Sequence, residues 1–143
     1  MAESENGRVD SLVYFLFAAE VQRIKIGLSA AQSFGSRIRD LQTGSPCHLR
    51  VIHYMPGDAQ LERELQENVC LYRFANEWFC YCPAVFLGIR SVLIRDPYFN
   101  SSILSARFPP LIIQDDDAHA ACLNNARFGH RSLRSKLLSG ETM

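Results

Sequence analysis

At 143 residues and 48% apolar composition, the chain carries enough hydrophobic material for one domain with a buried core, which excludes wholesale disorder. The 15 basic and 15 acidic residues cancel, so the bulk charge is not that of a dedicated nucleic-acid binder, and any such role must rest on a local basic face. Cys47, Cys70, Cys80, Cys82 and Cys122 form an odd set without framework spacing, which excludes a disulfide scaffold and fits reduced thiols in a cytoplasmic protein.

Residues 1–10 are short, polar and acidic and read as a flexible leader without a secretory signal. Residues 12–17 (LVYFLF) form an unbroken apolar and aromatic run, the pattern of a buried strand. A polar gap holding Glu20, Gln22 and Arg23 leads to a second run, Ile24-Lys25-Ile26-Gly27, and the spacing is that of an antiparallel hairpin. The connection has neither Asn-Gly nor Asp-Gly, so its turn type stays open. A helix follows, with Ile38 and Leu41 on one face, Gly44 as its stop, and Thr43-Gly44-Ser45-Pro46 as a turn.

Residues 48–55 (HLRVIHYM) alternate as a third strand, with Leu49, Val51 and His53 on one side and Arg50, Ile52 and Tyr54 on the other. Asp58 is placed to cap a helix over 59–73, whose Leu61, Leu65, Val69 and Tyr72 make an apolar stripe bordered by Glu62, Gln66 and Arg73. Asn76-Glu77-Trp78-Phe79 is a loop or short strand with the only Trp. Pro83 opens a third helix bearing Val85, Ile89, Val92 and Leu93, and Asp96-Pro97 closes it. Composition then shifts. Residues 97–143 read as a partly helical C-terminal appendage, with an acidic first turn at Asp115-Asp116-Asp117. The expected fold is an α/β (α+β) domain over 11–96, a small three-stranded, mainly antiparallel sheet flanked by helices. No apolar run approaches a membrane span.

Taken together, the pieces resemble the GIY-YIG nuclease superfamily, in its short phage-type branch with KIG, LQTG and EWF signatures. Leu12-Val13-Tyr14 stands at the first tripeptide and Lys25-Ile26-Gly27 at the second. Arg37 to Gly44 looks like the arginine helix and its turn, Leu61-Glu62 like the carboxylate helix, and Glu77-Trp78-Phe79 like the closing signature. Leu12 replaces the first Gly, Lys25 replaces the second Tyr, and Gln66 stands where the branch often has His.

The resemblance implies a magnesium-dependent endonuclease that hydrolyses DNA phosphodiester bonds with one metal ion. Its alternative is a catalytically silent nucleic-acid-binding or scaffold module on the same fold. It implies Mg2+ or Mn2+ on Glu62, DNA as partner and no small-molecule cofactor. Arg37 would grip the scissile phosphate with its planar fork, and Tyr14 would orient water or relay its proton. Lys25 would supply the field that activates Tyr14, or stabilise phosphate charge directly. Gly27, Gly44 and Trp78 are the structural members of the motifs.

Arg39, Arg73, Arg127, Arg131 and Arg134 are candidate contacts to DNA phosphates. Glu77 reads as structural, and Asn76, where the branch often shows Gly, as a left-handed position. Each site residue alone also has an ordinary reading. Tyr14 would be core, Lys25 and Arg37 solvated charges, and Glu62 an acid favoured by its helix dipole. Cys80-Tyr81-Cys82 has metal-ligand types but no second pair or His to complete four ligands, and Asp115-Asp116-Asp117 with His119 invites a metal site but reads as an N-cap and acidic first turn.

Overall fold

The computed structural model describes residues 9–124. Strands β1 (Ser11–Ala18) and β2 (Arg23–Ala30) form the expected hairpin, with Tyr14 opposite Gly27 and Leu16 opposite Lys25. Its turn is made possible by Gln22, which takes a positive φ of 53° and donates its side-chain amide to Ala19 O at 2.9 Å. Helix α1 (Phe34–Thr43) follows and ends at Gly44, whose N–H donates to Asp40 O at 3.1 Å. Strand β3 (Leu49–Pro56) then pairs antiparallel with the other edge of β1.

Helix α2 (Ala59–Asn68) begins under the Asp58 cap, whose Oδ1 accepts from Leu61 N at 3.0 Å. It is shorter than the stripe through Tyr72 implies, and residues Cys70–Tyr72 tighten into a 3-10 turn. The Asn68 amide reaches across to Gly88 O and Ser91 Oγ on helix α3 (Pro83–Leu93), so the α2 terminus is pinned to its neighbour. Two short strands, β4 (Arg73–Ala75) and β5 (Trp78–Cys80), complete the sheet, and helices α4 (Ser101–Arg107) and α5 (Asp115–Asn124) follow.

The sheet is therefore five-stranded and antiparallel, in the order β3-β1-β2-β5-β4, where the sequence pattern gives three strands. The added pair is only three residues per strand, too brief to show alternation. Asn76 does adopt positive φ, 52°, at its turn. With five α-helices among the described residues, the class is mixed α and β.

Alternate β1 side chains separate the two faces. Val13, Phe15 and Phe17 enter the main core with Leu65, Val69, Val85 and Ile89. Full burial of such side chains stabilises by roughly 1.5–3 kcal/mol each. Leu104, Phe108, Ala118 and Cys122, all beyond Pro97, belong to this same core. Asp115 contributes there too, because its Oδ1 accepts from Ala84 N at 2.7 Å and caps α3. Tyr14, Leu16 and Ala18 face the opposite way, against Phe34, Ile38 and Leu41 of α1 and against Trp78.

One expectation for β3 is overturned. A bulge inserts Ile52 between the pairs Leu16↔Val51 and Phe15↔His53, so the alternation changes phase. Leu49 and Val51 lie on the α1 face, while Ile52 enters the main core and His53 stacks on Phe15 at 5.9 Å.

Candidate active site

Tyr14 lies fully buried at the centre of β1, with its ring against Phe34 at a centroid separation of 5.5 Å. Gly27 stands opposite, and any side chain there would collide with the phenol, since a Cβ would come within 2.9 Å of Cε1 and nearer still to Cζ and Oη. The absence of a side chain at Gly27 thus lets the Tyr14 ring pass over it. The Tyr14 hydroxyl is sealed from solvent without a well-directed hydrogen bond. Arg37, exposed on the first turns of α1, sits close enough that the Tyr14 hydroxyl, ahead of the charges of Glu77 and Glu62, raises the guanidinium above its ordinary value.

Lys25 shares this face, paired with Leu16, and is only 7% exposed. A buried ammonium needs a counter-charge. It finds Glu77, whose Oε1 lies 2.6 Å from Lys25 Nζ. Lys25, expected to supply the field that activates Tyr14 or to stabilise phosphate charge directly, is paired with Glu77, and the cation coupled to the phenol is Arg37.

Strand β5 pairs with β2 only from Arg23 to Lys25. Beyond that point Ile26 N donates to Glu77 O at 3.2 Å, and Ile26 O accepts from Gln66 Nε2 at 2.8 Å. Gln66 so fastens α2 to the strand that bears Lys25, and this brings in Glu62 one turn earlier. The half-buried Glu62 carboxylate is raised above the usual carboxylate range, first by burial and then by repulsion from Glu77, against the opposing pull of Lys25, Arg37 and Arg63. Among the described residues its one side-chain hydrogen-bonding contact is a long 3.5 Å approach from Gln66 Nε2.

Tyr14 and Lys25 thus share the α1 face of β1 and β2, Arg37 is coupled to Tyr14, and Glu62, on the helix packed against the other face, lies near enough to feel the charges of Lys25, Arg37 and Glu77. Tyr14 and Lys25 form a buried floor, while Arg37 and Glu62 reach solvent. Glu77 was missed as a member of the site, and the signal for it was Lys25 itself, flanked by Ile24 and Ile26 in a strand with no room for an unpaired charge.

The groups able to hold a cation here are the carboxylates of Glu62 and Glu77; among the described residues no cluster of three or more His, Cys, Asp or Glu is suited to a metal. A hard divalent ion bound through one or two carboxylates, with water and phosphate oxygens completing its shell, fits this donor set. It would also relieve the repulsion that raises Glu62.

Arg39 is exposed on α1. Arg73 is engaged within its hairpin, donating to Asn76 O and lying 5.0 Å over the Phe79 ring. Arg127, Arg131 and Arg134 lie outside the described residues. Trp78 closes the core under α1, and Cys82 is a buried thiol that desolvation pushes up to about 11.

No known protein family, curated protein or solved structure matches this chain. Among the described residues no helix is long and apolar enough to cross a membrane.

Proposed function

We propose that the chain is a magnesium-dependent endonuclease of the GIY-YIG kind, hydrolysing DNA phosphodiester bonds at one metal ion held by Glu62. The observation that carries this reading is that Arg37 and Glu62, neither of them in an ion pair among the described residues, stand near the buried Tyr14, whose hydroxyl acts on the Arg37 guanidinium. Phosphodiester hydrolysis needs a grip on the phosphoryl oxygens, a positioned water and relief of developing charge. Arg37 supplies the bidentate grip. Tyr14, held under Arg37, orients water or takes its proton once substrate opens the floor. Lys25, paired with Glu77 in the free protein, would stabilise phosphate charge to the extent that substrate or the ion draws Glu77 away. The ion supplies Lewis-acid stabilisation of the phosphoryl oxygens when bound.

The test is nicking of supercoiled plasmid with Mg2+ or Mn2+ and with chelator, for the wild type and Glu62→Ala. The expected result is metal-dependent nicking that falls roughly a hundred-fold or more in the variant. Equal activity in the variant would place the chemistry elsewhere. A second reading, a DNA-binding module without turnover, draws on the sealed Tyr14 hydroxyl and on Gln66 being occupied in fastening α2. Retention of plasmid without any nicking would select it.

A further inference from the structure

The outer edge of the sheet holds a second constellation that the candidate active site does not use. Arg50, Val51, Ile52, His53, Tyr54 and Arg107 line an open hollow of about 360 Å³. The β3 bulge creates it, by turning His53 away from the α1 face and into contact with Phe15, Phe99 and Phe108.

His53 is only 8% exposed, and its Nδ1 stands 3.2 Å from Arg107 Nη1. A guanidinium can only donate, so Nδ1 accepts and the ring is the neutral Nε2–H tautomer. Burial, and then the Arg107 charge, lower the imidazole below its ordinary value and keep it neutral.

This tether has a consequence for Arg107. An arginine held in place by a carboxylate has its charge cancelled by its holder. Arg107, itself exposed, is tethered by a neutral ring wedged among phenylalanines, so the contact directs it without cancelling its charge. Arg50 lines the same hollow, with its guanidinium 6.0 Å over the Phe17 ring. Among the described residues neither arginine is in an ion pair, and no carboxylate lines the hollow. Both arginines are exposed at the border of the same hollow, and an anion bound there would be shared by two like charges that otherwise repel.

We propose that the hollow between Arg50 and Arg107 is a binding site for a tetrahedral oxyanion, a phosphate group carried by a nucleic-acid backbone or by a small phosphate compound. The site does not depend on phosphodiester hydrolysis by the Tyr14 cluster.

Sulfate is the probe. NMR titration of the whole chain with sodium sulfate, at constant ionic strength against a chloride control, follows the Arg107 guanidinium, the His53 ring and the amides of residues 50–54. Saturable shifts confined to these groups are expected, with affinity lowered about ten-fold in Arg107→Gln and in Arg50→Gln. Among the described residues the exposed Arg50 side chain makes no hydrogen bond to the core, so its variant keeps the test valid if Arg107→Gln perturbs packing. Shifts that fail to saturate, or that persist unchanged in both variants, overturn the site.

The salt dependence of duplex DNA binding then identifies the source. Loss of one phosphate contact in Arg50→Gln lowers the slope of log K against log salt by about 0.9 and assigns the backbone. An unchanged slope with sulfate binding retained in the wild type assigns a small phosphate compound. A chain that cuts DNA but shows no sulfate-dependent shift loses this site and keeps its nuclease; a chain that binds sulfate without cutting keeps the site and loses the nuclease.

Discussion

Gly27→Ala is the sharpest probe of how the hairpin builds the candidate site. The new methyl would stand 2.9 Å from Tyr14 Cε1 and nearer to Cζ and Oη, where carbon atoms prefer about 3.5–4.0 Å. The ring cannot swing aside freely, because Tyr14 has no exposed surface and Phe34 packs against it. Overpacking of this kind costs about 1–3 kcal/mol. Against it stands the gain of replacing a strand glycine by alanine, about 0.5–1 kcal/mol. The overpacking term wins, leaving a net loss of about 1–2 kcal/mol.

For a chain of this size that is a fall in Tm of roughly 2–8 °C by circular dichroism. The partner that causes the loss is identified by background. Tyr14→Phe keeps Cζ in place and should leave the alanine penalty nearly intact. Tyr14→Leu removes the ring tip, and Gly27→Ala in that background should be neutral or slightly stabilising. If the alanine costs the same in wild type and in Tyr14→Leu, the ring contact is not the reason for the glycine, and the account of the motif is wrong.

Two further perturbations test the charges. Glu77→Gln strands the Lys25 ammonium in a site only 7% exposed. Breaking a buried pair costs about 3–5 kcal/mol, but the Glu77 side chain is 39% exposed, so solvent reduces the loss to about 1–2 kcal/mol. The double variant Lys25→Met with Glu77→Gln should recover most of it in urea denaturation, and additive losses would show that the two charges do not act as a pair. His53 tests linkage. Its folded value is lowered from an ordinary value near 6.5, so the unfolded chain binds the proton more readily. Its contribution is present above that pH and is lost as pH falls toward the folded value. Stability measured at pH 7.5 and 5.5 should drop less in His53→Phe than in wild type, and equal drops would exclude His53 as the source.

What the sequence made legible follows from strong local signals. The apolar run at 12–17, the Gly27 partner, the Asp58 cap and the Pro83 start each have one dominant cause, and each element formed where that cause acts. What stayed hidden depended on distant partners. The β3 bulge has no signature within HLRVIHYM, because the extra residue is chosen by the facing side chains of β1 and the helices beneath. Asp115 reads as an acid of its own first turn, yet its carboxylate caps α3, thirty-one positions away from Ala84. Strands of three residues carry no period at all.

Glu77 joins these two kinds of information. Its carbonyl accepts from Ile26 N, so its position is fixed by the free edge of β2 just where pairing with β5 stops. Its carboxylate neutralises Lys25, and its charge is also the second cause of the rise at Glu62. A residue with a backbone role and two electrostatic roles couples the hairpin to the carboxylate helix. Under the proposed function, a cation at Glu62 would compete with Lys25 for the Glu77 carboxylate, so hairpin and helix would respond to the ion together.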